Sequence, residues 1–282
     1  MGSMVNPRSE RPKIREITST ANPLLKIFRH ALAEGITREG WLAVEGPRAL
    51  EEGLAAAPRV IVQSVLAGET AGGKFRALLD RLPKETEITL VADGLFARVA
   101  ATPSPQGIAA LVELMPQNLD AILRQRDALL LVACGLQDPG NLGTMMRSAQ
   151  ALGATAMLTL KETVSPFNPK AMRSSAGAIF HLPVFPGLDA HTIFNQLRAA
   201  GIRIVATDRE SSQAVHQADL KGPVVFLIGK EASGLPEEII RHADMRLRVP
   251  IRRGMDSVNA ATAAGIFLYE AARQRGFEKL NE

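Results

Sequence analysis

Three glycine- and asparagine-rich segments, each following an apolar run, hold the residues best suited to bind a ligand and act on it. The first is Asp138-Pro139-Gly140-Asn141-Leu142-Gly143, continuing to Arg147. The second is Gly229-Lys230-Glu231-Ala232-Ser233-Gly234-Leu235. The third runs from Pro250 through Gly254 to Met255-Asp256-Ser257-Val258-Asn259. In a parallel α/β sheet, ligands bind at the carboxyl ends of the strands, where such junctions lie. Turn chemistry alone accounts for any one of them, because Gly and Asn tolerate positive φ. Three in one sheet point to a shared site. It is not a standard nucleotide site. The chain has no GxGxxG, so a dinucleotide-binding reading lacks its fingerprint. Gly229 to Gly234 has the glycine spacing of a phosphate loop, but no Lys-Ser/Thr follows, and a nucleotide-hydrolysing reading fails on that.

The second half of the chain supplies the scaffold. Strand-like apolar runs at 128–133, 156–160, 182–185, 202–206, 224–228 and 246–249 alternate with helical segments. Those helices are expected at 144–152, 169–178, 193–200, 236–242 and, longest, 257–275. Ser257 is placed to cap the last helix, with Asn259 in its first turn. Strands that read as unbroken apolar runs, with helices between them, imply a parallel sheet covered on both faces. The first half reads as a smaller α/β domain: helices at 22–35, 48–57 and 75–82, and strands at 41–44, 60–62, 88–91 and 108–112. The expected organisation is a disordered polar tail (1–12), an α/β domain (13–115), a linker with a polar helix (116–126) and a larger α/β domain (127–282). Met1-Gly2-Ser3-Met4 reads as an added leader ahead of a second methionine.

Composition narrows the function. The chain has 282 residues, 46% of them hydrophobic and 22% charged, as expected of a globular protein. No run approaches the roughly 18 apolar residues of a membrane span. A single cysteine, Cys134, leaves no intramolecular disulfide and no multi-cysteine zinc site. The five histidines are scattered without HExxH, so no metal site is expected and a reducing cytoplasm is the expected compartment. A net charge of +4 and a pI near 9.5 suit a partner that is a polyanion. Basic residues gather at Arg8, Arg11, Lys13, Arg15, Lys26 and Arg29, and again at Arg246, Arg248, Arg252 and Arg253. With one Trp and one Tyr, any nucleic-acid contact falls on phosphate, sugar or shape rather than on stacked bases.

Asn141-x-Gly143-x-x-x-Arg147, then Gly229-x-Glu231-x-x-Gly234-Leu235, then Pro250 with Ser257-Val258-Asn259, resemble the three ordered motifs of the SpoU (TrmH-type) SPOUT RNA 2′-O-ribose methyltransferases. The resemblance covers about 129–275. The first half is similar, more loosely, to the family's L30e-like substrate-binding domain. It does so through Ile17-Thr18-Ser19, Asn22-Pro23-Leu24, Val44-Glu45-Gly46 with Arg48-Ala49-Leu50, and Thr102-Pro103 with Gln106-Gly107. The resemblance implies a C-terminal trefoil knot and S-adenosylmethionine as cofactor. It implies cofactor contacts near Leu227, Gly229, Val249, Ile251 and Val258, with Gly229 letting the backbone approach the ligand and Ile251 and Val258 flanking a ring. It implies catalytic roles for Arg147, Asn141, Glu231, Ser257 and Asn259. Arg147 would steady the developing alkoxide and the neighbouring phosphate, because a guanidinium is very hard to deprotonate. RNA contacts would fall on Arg15, Lys26, Arg29, Arg48 and Arg173. The helix bearing Ala260, Ala261, Ala263, Ala264 and Gly265 would serve a homodimer, although its small-residue face fits an internal contact equally well. Val258 stands where the family usually has leucine. Ribosomal RNA is the expected substrate; transfer RNA, or a non-catalytic RNA-binding ribosome factor, are the alternatives.

Overall fold

The computed structural model describes residues 12–231 and 233–280. The expected tail, apart from Pro12, lies outside the described residues, as do Arg8 and Arg11. The chain divides into two compact units, one ending at Met115 and the other starting at Pro116.

The first unit comprises β1 (Ile14–Glu16), α1 (Pro23–Glu34), β2 (Leu42–Glu45), α2 (Pro47–Ala55), β3 (Val60–Gly68), α3 (Glu69–Lys74), α4 (Arg76–Leu79), β4 (Glu87–Val91), α5 (Asp93–Val99) and β5 (Ile108–Leu114). Its sheet has the order β1-β4-β3-β5-β2, with β1, β4 and β3 parallel and β5 antiparallel to both neighbours. Phe28, Leu32, Leu66, Phe96 and Leu111 form one core layer. Two elements escape the hydrophobic pattern. β1 is a three-residue edge strand with every residue exposed, and so carries no alternation. The helix expected at 75–82 is the shorter α4, and it is preceded by the unexpected α3, the two meeting at Phe75.

The second unit comprises α6 (Leu119–Leu123), β6 (Leu129–Ala133), α7 (Pro139–Ala151), β7 (Ala156–Leu160), α8 (Pro169–Ser175), α9 (Ala178–His181), β8 (Val184–Leu188), α10 (Ala190–Ala199), β9 (Arg203–Thr207), β10 (Val224–Ile228), α11 (Glu237–Ile240), β11 (Met245–Leu247) and α12 (Ala260–Gln274). Its six strands are all parallel, in the order β11-β9-β10-β6-β7-β8. The run Leu129-Leu130-Leu131-Val132-Ala133 is buried throughout because β6 is central and covered on both faces. α10 covers one face through Ile193, Phe194 and Leu197. α12 packs on β10, where the rings of Phe267 and Phe226 lie 5.2 Å apart. Ile122 and Leu123 of α6 are buried in this unit's core, so the expected linker is part of its packing.

Three helix starts differ from the sequence expectation for a common reason, a capping side chain upstream of the apolar pattern. α10 begins at Ala190 rather than at 193 because Asp189 caps it. α7 begins at Pro139 rather than at 144, because Asp138 caps it and Pro139 supplies the first-turn φ. Gly140 and Gly143, which read as turn residues, sit inside the helix. α12 begins at Ala260 rather than at Ser257: the cap is Asn259, whose Oδ1 accepts from the backbone N of Ala261 (2.8 Å) and Thr262 (3.3 Å).

Gly143 marks a close crossing of α7 and α8. A Cβ there would lie 2.2 Å from the carbonyl oxygen of Ala171, 2.6 Å from Ser174 Cβ and 3.0 Å from the backbone N of Ser175. Backbone atoms cannot yield as a side-chain end would. Gly143→Ala is therefore expected to lose about 3 kcal/mol to overpacking and to regain only about 1 kcal/mol of helix propensity. Urea unfolding should show the net loss of about 2 kcal/mol; an unchanged or raised midpoint would contradict this packing.

Candidate active site

The three sequence junctions converge at the carboxyl ends of the strands. Asp138 Oδ1 accepts from the backbone N of Asn141 (2.9 Å), fixing the first turn of α7. The backbone N–H of Asn141 and the Lys170 ammonium, in that order, hold the Asp138 carboxyl below the usual carboxylate range. Asn141 then joins the other two segments through its carboxamide. Its Nδ2 donates to Glu231 Oε1 at 2.9 Å, and its Oδ1 accepts from Asn259 Nδ2 at 2.9 Å. Asn259 keeps its own Oδ1 for the α12 cap. Residues up to 118 positions apart in sequence thus form one ordered row, Glu231–Asn141–Asn259.

Glu231 rides on a tight loop closed by two backbone bonds, Lys230 N to Gly234 O (3.0 Å) and Gly234 N to Lys230 O (2.9 Å). Gly234 takes φ +69°, a conformation that favours glycine. A Cβ on Gly229 would lie 2.2 Å from the carbonyl carbon of Gly234. The loop folding back on itself is therefore by itself enough to require glycine at 229.

Beside the row lies a cavity of about 420 Å³, in the range that takes a nucleoside-sized ligand. Ile228, Leu247, Val249, Ile251 and Val258 give it apolar walls. Lys230, Arg246 and Arg248 bring positive charge, and Asp208, Glu210 and Glu231 negative charge. Of the expected cofactor residues, Gly229, Val249, Ile251 and Val258 line it. Leu227 does not: its side chain is buried in the core, its carbonyl accepts from Thr207 Oγ1 (2.8 Å), and Ile228 stands at the wall instead. Ser257 lines the cavity without capping a helix.

Arg147 is exposed on α7 and has no hydrogen-bond or ion-pair partner among the described residues. The structure does not bring it into contact with Asn141, Glu231 or Asn259. Arg173 is exposed in the last turn of α8. In the first unit, Lys26, Arg29 and Arg48 are exposed, whereas Arg15 is paired with Glu87 at 2.6 Å and donates to Thr89 Oγ1 at 3.3 Å.

One part of the site has no counterpart in the three motifs. Asp208, just beyond β9, is largely buried and accepts from Arg246 Nε at 2.6 Å, tying the loop after β9 to β11. Ser211 Oγ adds a bond to the Arg246 carbonyl at 2.7 Å. The strand-end rule that marked the other junctions applies equally to Thr207-Asp208. Among the described residues, no group of three His, Cys, Asp or Glu could hold a metal ion.

Residues 128–269 match the family model described as the SpoU rRNA Methylase family, and residues 43–117 match that of RNA 2′-O ribose methyltransferase substrate binding. The chain is 32% identical over 282 residues to a 23S rRNA (uridine(2479)-2′-O)-methyltransferase of Streptomyces viridochromogenes, covering 96% of this chain and 97% of that protein. It is 29% identical over 262 residues to the 23S rRNA (guanosine(2553)-2′-O)-methyltransferase RlmP of Bacillus subtilis, covering 91% and 98%. The AdoMet-bound crystal structure of an rRNA methyltransferase from Sinorhizobium meliloti aligns with a TM-score of 0.79 at 29% identity, covering 92% of this chain and 98% of that one.

The double duty of Asn259 can be tested. Asn259→Ala removes the α12 cap and should cost about 1 kcal/mol in urea unfolding. Asn259→Asp retains a capping oxygen but cannot donate to Asn141, so its stability should stay within about 0.5 kcal/mol of the parent. Equal losses in both variants would contradict the capping role.

Proposed function

The chain belongs to the SpoU rRNA methylase family of S-adenosylmethionine-dependent RNA 2′-O-ribose methyltransferases, and from that premise we propose that it methylates a ribose of ribosomal RNA at the Glu231–Asn141–Asn259 row. That row carries the reading. It joins all three motifs at the mouth of a cavity whose apolar walls suit an adenine ring. The mixed charge of the cavity suits a ligand that carries sulfonium, ammonium and carboxylate groups together. When bound, S-adenosylmethionine supplies an electrophilic methyl on its sulfonium. The ribose 2′-oxygen would take that methyl as the carbon–sulfur bond breaks, the sulfur keeping the bonding pair and leaving as the neutral thioether, while the hydroxyl proton would pass to the Glu231 carboxylate or to water.

The protein's contribution is positioning and charge. Glu231 uses Oε1 to accept from Asn141 and has no further partner among the described residues, so Oε2 is free to orient the 2′-hydroxyl. Asn141 and Asn259 hold that carboxylate in place. Arg147, a permanent cation, steadies the oxygen as it loses its proton and grips the adjacent phosphate. Its lack of a partner among the described residues supports this assignment, since its donors remain available. Ser257 at the cavity wall completes the set.

The substrate reading rests on the first unit, which matches the substrate-binding model, and on the 23S rRNA enzymes among the relatives. Lys26, Arg29, Arg48 and, in the second unit, Arg173 are proposed as phosphate contacts. Arg15 is a weaker candidate because Glu87 already takes its charge. We further propose that the chain from β11 to α12 threads the family's trefoil knot. A homodimer forms through the outer stripe Thr262, Ile266 and Tyr269 of α12, Tyr269 being 52% exposed. The small-residue face is committed elsewhere: Ala260, Ala261 and Ala264 are buried, and Gly265 faces Ser148 of α7. A reducing cytoplasm suits the lone, buried Cys134.

Arg147→Ala should reduce methyl transfer from labelled S-adenosylmethionine to ribosomal RNA by about 100-fold or more. Calorimetry should find cofactor affinity within about threefold of the parent, because Arg147 is outside the cavity wall. Retained transfer would remove Arg147 from the chemistry.

A further inference from the structure

Lys170 belongs to none of the three motifs, yet its side chain closes over the first of them. It stands in the first turn of α8, and its Nζ lies 3.1 Å from Asp138 Oδ2. The other carboxylate oxygen, Oδ1, holds the backbone N of Asn141. This reach depends on side chains that are absent. A Cβ on Gly140 would lie 2.7 Å from Asp138 Oδ1 and 3.3 Å from Lys170 Cε. One turn away, Gly143 admits the α8 backbone itself. Two glycines on α7 therefore seat α8 where Lys170 can span to the cap. From Asp138 the bonded path continues into Asn141, and from its carboxamide to Glu231 and Asn259.

We propose that Lys170 is a positioning residue for methyl transfer: acting through Asp138, it fixes the first turn of α7 and so the orientation of the Asn141 carboxamide. This rests on the active-site reading given above. Both partners are solvent-exposed, at 56% and 47% of their side chains, so the ion pair contributes little to global stability. Its effect falls on geometry. A cap held from two sides leaves the α7 entry one arrangement, whereas a cap held only by the backbone can rotate and carry Asn141 away from Glu231.

The test compares Lys170→Met, Lys170→Arg, Asp138→Asn, the Lys170→Met/Asp138→Asn double variant and Asn141→Ala in full-length protein. Methyl transfer to ribosomal RNA and calorimetric binding of S-adenosylmethionine are the readouts. Lys170→Met should lower kcat about fivefold, with KM for RNA and cofactor affinity within about twofold. Lys170→Arg should recover most of that loss. The double variant should be no slower than the slower single one, as expected of residues on one path. A raised KM with intact kcat would make Lys170 an RNA phosphate contact and overturn the proposal. Multiplying losses in the double variant would overturn it too. Full activity in Lys170→Met beside an inactive Asn141→Ala would overturn this proposal alone, whereas a fully active Asn141→Ala would bring down the active-site reading itself.

Discussion

The carboxamide of Asn141 is the narrowest constraint in the molecule. One amide has to donate to Glu231 and accept from Asn259 at the same time, and both bonds are 2.9 Å long. A carboxamide can do this only with its two ends pointing in different directions, so three separate strand-to-helix crossings must arrive in register. The parallel sheet makes that possible. Its strands run the same way, so the turns after β6 and β10 and the segment leading into α12 emerge at one end. Aspartate at 141 could not donate to Glu231, and leucine would leave both partners without their bonds.

Glycine is the second constraint, acting through close approach as much as through φ. At Gly143 the backbone of α8 comes within the space of a side chain, and at Gly229 the loop carrying Glu231 folds back onto its own strand. Gly234 alone among these three needs positive φ. The close packing of α7 on α8, and of the Glu231 loop on the end of its own strand, holds polar side chains at hydrogen-bonding distance although several are solvent-exposed, an arrangement in which precision comes from the backbone beneath.

Much of this was legible in the residues. The unbroken apolar run at 128–133, bounded by polar turns, reads as a strand covered on both faces, and the three polar junctions mark where a ligand would sit. What stayed hidden has physical causes. The start of α7 was masked because Gly140 and Gly143, poor helix formers, are there for contacts with α8 that no local pattern encodes. Ser257 and Asn259 are both good caps, and the choice fell to Asn259, whose one side chain can also reach Asn141. Leu227 and Ile228 are neighbours on a strand whose side chains alternate, so a shift of one residue exchanges wall for core. The Asp208–Arg246 pair carries no motif; the strand-end rule points to Asp208, and the strand order, with β9 between β10 and β11, brings it to Arg246 at the cavity.

The most direct test is chemical: incubate the protein with labelled S-adenosylmethionine and ribosomal RNA, or separately with total transfer RNA, and map the label by nuclease and alkaline digestion. Label on the 2′-oxygen of a ribosomal nucleotide, resistant to alkaline cleavage on its 3′ side, is the expected result. Label on a base would contradict the ribose chemistry assigned to the Glu231–Asn141–Asn259 row, and label confined to transfer RNA would contradict the substrate.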